Sequence, residues 1–130
     1  MKKYLYIIIL LIVAILYINI NNAQAVYTDN EIADAIYKAE GGEQTNFPYG
    51  IKSVKCKGKK ECRKICLNTI RNNRKRYTEY GYKQYKTFLE FLASRYAPIG
   101  VKNDPKGLNK HWLKNVRYFL NKGGVIKWLD

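Results

Sequence analysis

The chain has 130 residues, which leaves room for one domain, and no repeat, low-complexity tract or long linker divides it. Its 24 Lys and Arg stand against 10 Asp and Glu, a formal net charge of +14. Such a charge does not specify a fold, but it draws a protein toward polyanions: cell-wall polymers, anionic lipid surfaces or nucleic acid.

Met1-Lys2-Lys3 forms a short positive start. Tyr4 to Ile20 is then apolar apart from Asn19, and Asn21-Asn22-Ala23-Gln24-Ala25 follows. This order is the pattern of a secretory signal, so we expect a leader over 1–25, cleaved after Ala25, and a domain over 26–130. The alternative is a retained anchor, since 17 residues sit at the short end of a bilayer span. In both readings Lys2 and Lys3 hold the N-terminus inside, and the domain is secreted, periplasmic or attached to the envelope. Losing those two lysines with the leader leaves 22 Lys and Arg against 10 acids, a net +12. Export ranks nucleic acid behind wall polymers and lipid headgroups.

Four further helices follow from periodicity and caps, giving a mainly α fold. The first is announced by Thr28 and Glu31, a capping box, with Ile32, Ala35, Ile36 and Ala39 on one face and Gly41-Gly42 as its stop. The next connection, Gly41 to Gly58, contains Pro48 and a β-like patch at Tyr49 to Val54. It reads as a short ordered loop or hairpin that builds one wall of a cleft. A second helix is expected over 60–77, its stripe formed by Cys62, Ile65, Cys66, Thr69, Ile70 and Tyr77. A third is expected over 84–96, burying Tyr85, Phe88, Leu89, Leu92 and Tyr96 and ending at Pro98. The turn Asn103-Asp104-Pro105-Lys106-Gly107 precedes a fourth helix, capped by Asn109, that carries Trp112, Leu113, Val116 and Leu120 and closes at Gly123-Gly124.

Export permits a disulfide among Cys56, Cys62 and Cys66. Cys62 and Cys66 lie four apart on one helix face and are badly placed to bridge each other. Cys56 sits in a Lys/Gly-rich turn able to fold back, so Cys56–Cys62 is expected, with Cys66 as a small core residue. Zinc is the alternative, but one histidine, His111, is all that remains to complete a ligand set, and the spacing is not that of a structural zinc site.

Glu40 stands at the C-terminal end of a helix, where the dipole favours the protonated carboxyl. A raised pKa is what a general acid needs near neutrality. From local sequence alone a solvated helix-end residue is the simpler reading. For a second carboxylate the chain offers Glu43, close by on the loop, and Asp104, although Asp-Pro-x-Gly is in itself a good turn. Lys55, Lys57, Lys59, Lys60, Arg63, Lys64, Arg71, Arg74, Lys75 and Arg76 are opposed in their own stretch by Glu61. The plain reading is a solvated helix face; the functional one is a surface that holds anionic wall polymers or a membrane.

The stretch of helix, Glu40, Gly-Gly, short polar loop and Tyr49-Gly50-Ile51-Lys52-Ser53 resembles the first half of a lysozyme-like domain, as in soluble lytic transglycosylases and goose-type lysozymes. The later stretches Cys66 to Asn73, Phe91 to Pro98, Asn103 to Asn109, Trp112 and Asn115-Val116 are similar to small exported or phage-associated bacterial members. The resemblance implies Glu40 as catalytic acid, a sugar cleft containing Tyr49, Gly50 and Ser53, and Tyr96 as the supporting tyrosine. Where those transglycosylases carry Met-Gln, this chain has Lys52-Ser53. Few carboxylates are on offer, so one-carboxylate chemistry is expected, with the substrate's acetamido group or 6-hydroxyl in the second role. It calls for no cofactor and no metal.

Three readings follow. One is an exported glycosidase that cleaves peptidoglycan glycan strands through Glu40. Another is a non-enzymatic cationic binder of wall or membrane on the same scaffold. The third, an extracellular nucleic-acid binder, would show steep salt dependence.

Overall fold

Where each helix begins is decided by a few polar side chains. In the computed structural model, which describes residues 2–21 and 27–123, α1 spans Lys2–Asn21, α2 Asp29–Ala39, α3 Gly58–Glu79, α4 Phe88–Tyr96 and α5 Trp112–Gly123. The fold is mainly helical, and no strand occurs among the described residues. α1 lies within the stretch expected to be a leader, and its side chains from Tyr4 to Ile15 are exposed. The Ala23–Ala25 cleavage motif and Gly124 lie outside the described residues. Among those residues no helix is long and apolar enough to cross a membrane.

The capping box of α2 forms as the sequence predicts. Thr28 Oγ1 accepts the Glu31 N–H, and the Glu31 carboxylate accepts the Thr28 N–H at 2.7 Å. α2 then buries Ile32, Ala33, Ala35 and Ile36 against α5 and α3. The centre of the core is Ile32, Ile36, Cys66, Ile70, Leu92 and Val116, drawn from all four helices that follow α1. Asp29 holds Arg74 at 2.8 Å and Arg71 at 3.8 Å, while Asp34 pairs with Arg63. The acids of α2 thus take up arginines of α3. Lys60, Lys64, Lys75 and Arg76 remain exposed, without an ion pair among the described residues.

Two expectations are corrected. α4 starts at Phe88, not near Gln84, because Thr87 and Glu90 form a second capping box. The residues before it make a 3₁₀ turn at Gly81–Lys83, where a Cβ on Gly81 would come within 2.7 Å of the Phe91 ring. Tyr85 reaches that ring from outside the helix, centroids 5.6 Å apart. Asn109 does not cap α5. Both Asp104 oxygens accept backbone N–H groups, from Leu108 at 2.8 Å and Asn109 at 3.1 Å, starting the 3₁₀ turn Leu108–His111 that leads into the helix. Of the two forms expected, the stretch from Tyr49 to Val54 takes the loop. Pro48 and Gly50, the latter at φ +70°, break the extended backbone, and no neighbouring segment offers a ladder.

Cys56 and Cys62 form a disulfide, Cα atoms 5.1 Å apart, which fastens the loop to the start of α3. Cys66 is free and buried, and burial pushes its thiol up to about 11. With two thiols joined and the third enclosed, the zinc alternative loses its ligands. No group of three His, Cys, Asp or Glu able to hold a metal occurs among the described residues.

Candidate active site around Glu40

Glu40 is the C-cap of α2. Its N–H donates to Ile36 O at 2.9 Å, and Gly41 follows in the left-handed conformation at φ 86°. This reversal turns the chain away and leaves the Glu40 side chain pointing into a groove of about 420 Å³. One wall is the loop Gly50 to Val54, the other is Arg95 to Pro98, and Ile65, Thr69, Asn109 and Trp112 complete it. Glu40 is the one carboxylate among those lining residues.

The carboxyl is held from two sides. Trp112 Nε1 donates to Glu40 Oε1 at 2.8 Å. A buried indole needs a partner for its N–H, and here the acid supplies it. From the other side, Gly50 lies so close that a Cβ there would come within 2.5 Å of the Glu40 carboxyl carbon. Glycine therefore serves twice at this position, for its positive φ and for the space it leaves. Behind Trp112 the ring of Tyr96 stacks at 5.0 Å between centroids and 27° between planes, and its hydroxyl donates to the Tyr49 carbonyl.

Burial raises the pKa of Glu40 above the ordinary 4.5, against the Trp112 hydrogen bond and the nearby Lys52 cation, which both lower it. The direction matches the expectation, but the dominant cause is desolvation, not the helix dipole. Burial also raises the phenol of Tyr96, which stays a hydrogen-bond donor at all ordinary pH.

The expected residues are distributed as follows. Glu40, Gly50, Ser53 and Tyr96 line the groove together. Tyr49 does not face it: its ring is 2% exposed and packs on Tyr37 at 5.2 Å, so what it offers the site is its carbonyl, as the anchor of Tyr96. Asp104 does not line the groove either, because its carboxylate is committed to the turn before α5. Glu43 sits exposed in an ion pair with Lys59 at 3.1 Å, and that lysine lowers its pKa.

Comparison with protein-family models, with curated proteins and with solved structures finds no match to this chain. The site therefore has to be read from its own chemistry. The sequence places Trp112 and Thr69 on apolar stripes and Asn109 at a helix cap, and gives Lys52 and Arg95 no part in the site. A buried tryptophan is always short of an acceptor, and the search for one would have led to Glu40. Nothing local marks Lys52, Thr69, Arg95 and Asn109 as groove residues, since their meeting is a product of the tertiary fold. A second hollow of about 490 Å³, bounded by Tyr27, Arg74, Tyr77, Phe88, Leu89 and Arg117, has no carboxylate in its lining.

Proposed function

We propose that this chain is an exported glycosidase of the lysozyme-like kind, acting on peptidoglycan glycan strands as a lytic transglycosylase or lysozyme with Glu40 as general acid and then base. The observation that carries the reading is a half-buried carboxyl, its pKa raised and the one carboxylate lining an open groove, set against a tryptophan N–H. A protonated Glu40 gives its proton to the glycosidic oxygen as that bond breaks and positive charge develops on the sugar ring. The carboxylate left behind is stabilised by the Trp112 N–H and by Lys52. It then takes the proton of the attacking hydroxyl, either from water or from the sugar's own 6-position. The substrate's acetamido group covers the opposite face of the ring, which suits a groove with one carboxylate.

The test is the release of soluble fragments from purified bacterial walls, read by mass spectrometry. Anhydro-sugar ends indicate transglycosylation and reducing ends hydrolysis. Wild-type protein that binds walls and releases nothing would replace this reading with the cationic binder. The observation favouring that second reading is the exposed row of Lys60, Lys64, Lys75 and Arg76 on α3. The leader reading, with an extracytoplasmic domain over 26–130, belongs to the same proposal.

A further inference from the structure

Among the described residues that follow α1, seven large apolar side chains are exposed. Three are tyrosines, Tyr80, Tyr82 and Tyr118, whose hydroxyl suits them to water. The other four are Phe47, Val54, Ile99 and Leu108, which are 41%, 49%, 72% and 61% exposed. One exposed leucine needs no explanation, but these four are gathered around one feature.

That feature is the Glu40 groove. Val54 lies on its loop wall, and Phe47 shares a second, small hollow with Val54. Across the groove Asn109 Nδ2 donates to Pro98 O at 2.8 Å, which draws together the two turns that carry Leu108 and Ile99. Both walls therefore carry apolar tips that the core does not use, although burying each would be favourable. Cations accompany them. Lys52 and Lys55 flank Val54, and Lys102, Lys106 and Lys110 stand around Ile99 and Leu108, all five exposed. The one acid in the segments 47–55 and 97–110 is Asp104, and both of its oxygens are taken by backbone N–H groups.

Apolar tips set among lysines suit the interface of an anionic bilayer. The hydrocarbon enters the acyl boundary while the ammonium groups stay among the headgroup phosphates. A second copy of this chain is a poor occupant, since like charges would face one another. We infer that the rim of the groove docks on an anionic lipid surface, with Phe47, Val54, Ile99 and Leu108 entering its interface. These are other residues than the exposed lysines of α3, and the inference does not depend on the reaction at Glu40. Docking of this kind sets the mouth of the groove against the headgroups, so that it takes polymers held close to a membrane.

The test reads line broadening of backbone amides by NMR. The full chain is placed on bicelles of equimolar phosphatidylcholine and phosphatidylglycerol, doped with a lipid spin-labelled just below its headgroup. Broadening is resolved by position, so any contact made by α1 is seen apart from that of the domain. Within the domain it should centre on Phe47, Val54, Ile99 and Leu108 and spare Tyr82 and Tyr118. Ile99→Ser with Leu108→Ser removes two exposed tips without touching the core. The pair should weaken partitioning by about tenfold or more, so that broadening is lost even at Val54 on the other wall. Replacing phosphatidylglycerol by phosphatidylcholine should also reduce it. Broadening centred on Lys60, Lys64 and Lys75, none in the domain, or an equal effect on neutral lipid would each overturn the inference. So would contacts between the rims of two copies in place of lipid broadening. A wild type that docks by its rim yet cleaves no wall leaves this inference standing and removes the glycosidase reading.

Discussion

At the scale of single residues, everything turns on Glu40 and its two neighbours. Glu40→Gln keeps the shape and still accepts the Trp112 N–H but has no proton to give, so wall cleavage should fall by at least about a hundredfold in a fragment-release assay. The same variant should gain stability near neutral pH. A carboxyl whose folded pKa is raised favours the fold below its unfolded value and loses that contribution as pH rises through the folded one. Thermal melts should therefore show Glu40→Gln above wild type at pH 7, with the gap closing below pH 4.5. Lys52→Met removes a charge that favours the ionised acid, so the alkaline limb of the kcat/KM profile should move to higher pH, most clearly at low salt. Gly50→Ala drives a methyl into the carboxyl and strains a positive φ. It should cost more than about 1 kcal/mol in denaturant unfolding and cost activity as well.

At the scale of elements, the parts legible in the sequence were those with local causes. The Thr28 box fixes α2 from four residues, and Gly41 ends it where a left-handed residue is needed. The equivalent box at Thr87 was equally readable, and apolar periodicity running back through Tyr85 masked it. Thr28→Ala and Thr87→Ala should each cost about 1 kcal/mol, measured by urea unfolding. The Cys56–Cys62 pairing followed from helix geometry, and its short separation of 6 residues limits what it contributes. Removing both cysteines should lower stability by about 2 kcal/mol on a chain-entropy account. What stayed hidden was the inward turn of Tyr49, the use of Asp104 as a turn acceptor, and the bond from Trp112 to Glu40. Each depends on contacts between segments far apart in sequence, for which alternation and capping carry no signal.

At the scale of the whole molecule, three arginines of α3 (Arg63, Arg71 and Arg74) are spent on α2 acids, while Lys60, Lys64, Lys75 and Arg76 face solvent. Retention of Glu40→Gln protein on insoluble walls should accordingly drop as NaCl rises from 0.1 M to 1 M, over which the screening length shrinks from about 10 Å to about 3 Å. Cleavage of a short soluble oligosaccharide should respond far less. The groove itself has a mechanical character set by the bond from the Tyr96 hydroxyl to the Tyr49 carbonyl. That bond ties α4 to the loop, and the disulfide fastens the same loop to the start of α3. The two walls are thus clamped at a set gauge, and a polymer chain would thread an open channel instead of waiting for jaws to shut. Stopped-flow association with a fluorescent oligosaccharide should then be a single concentration-proportional phase with no slow rearrangement behind it, and Tyr96→Phe should introduce one.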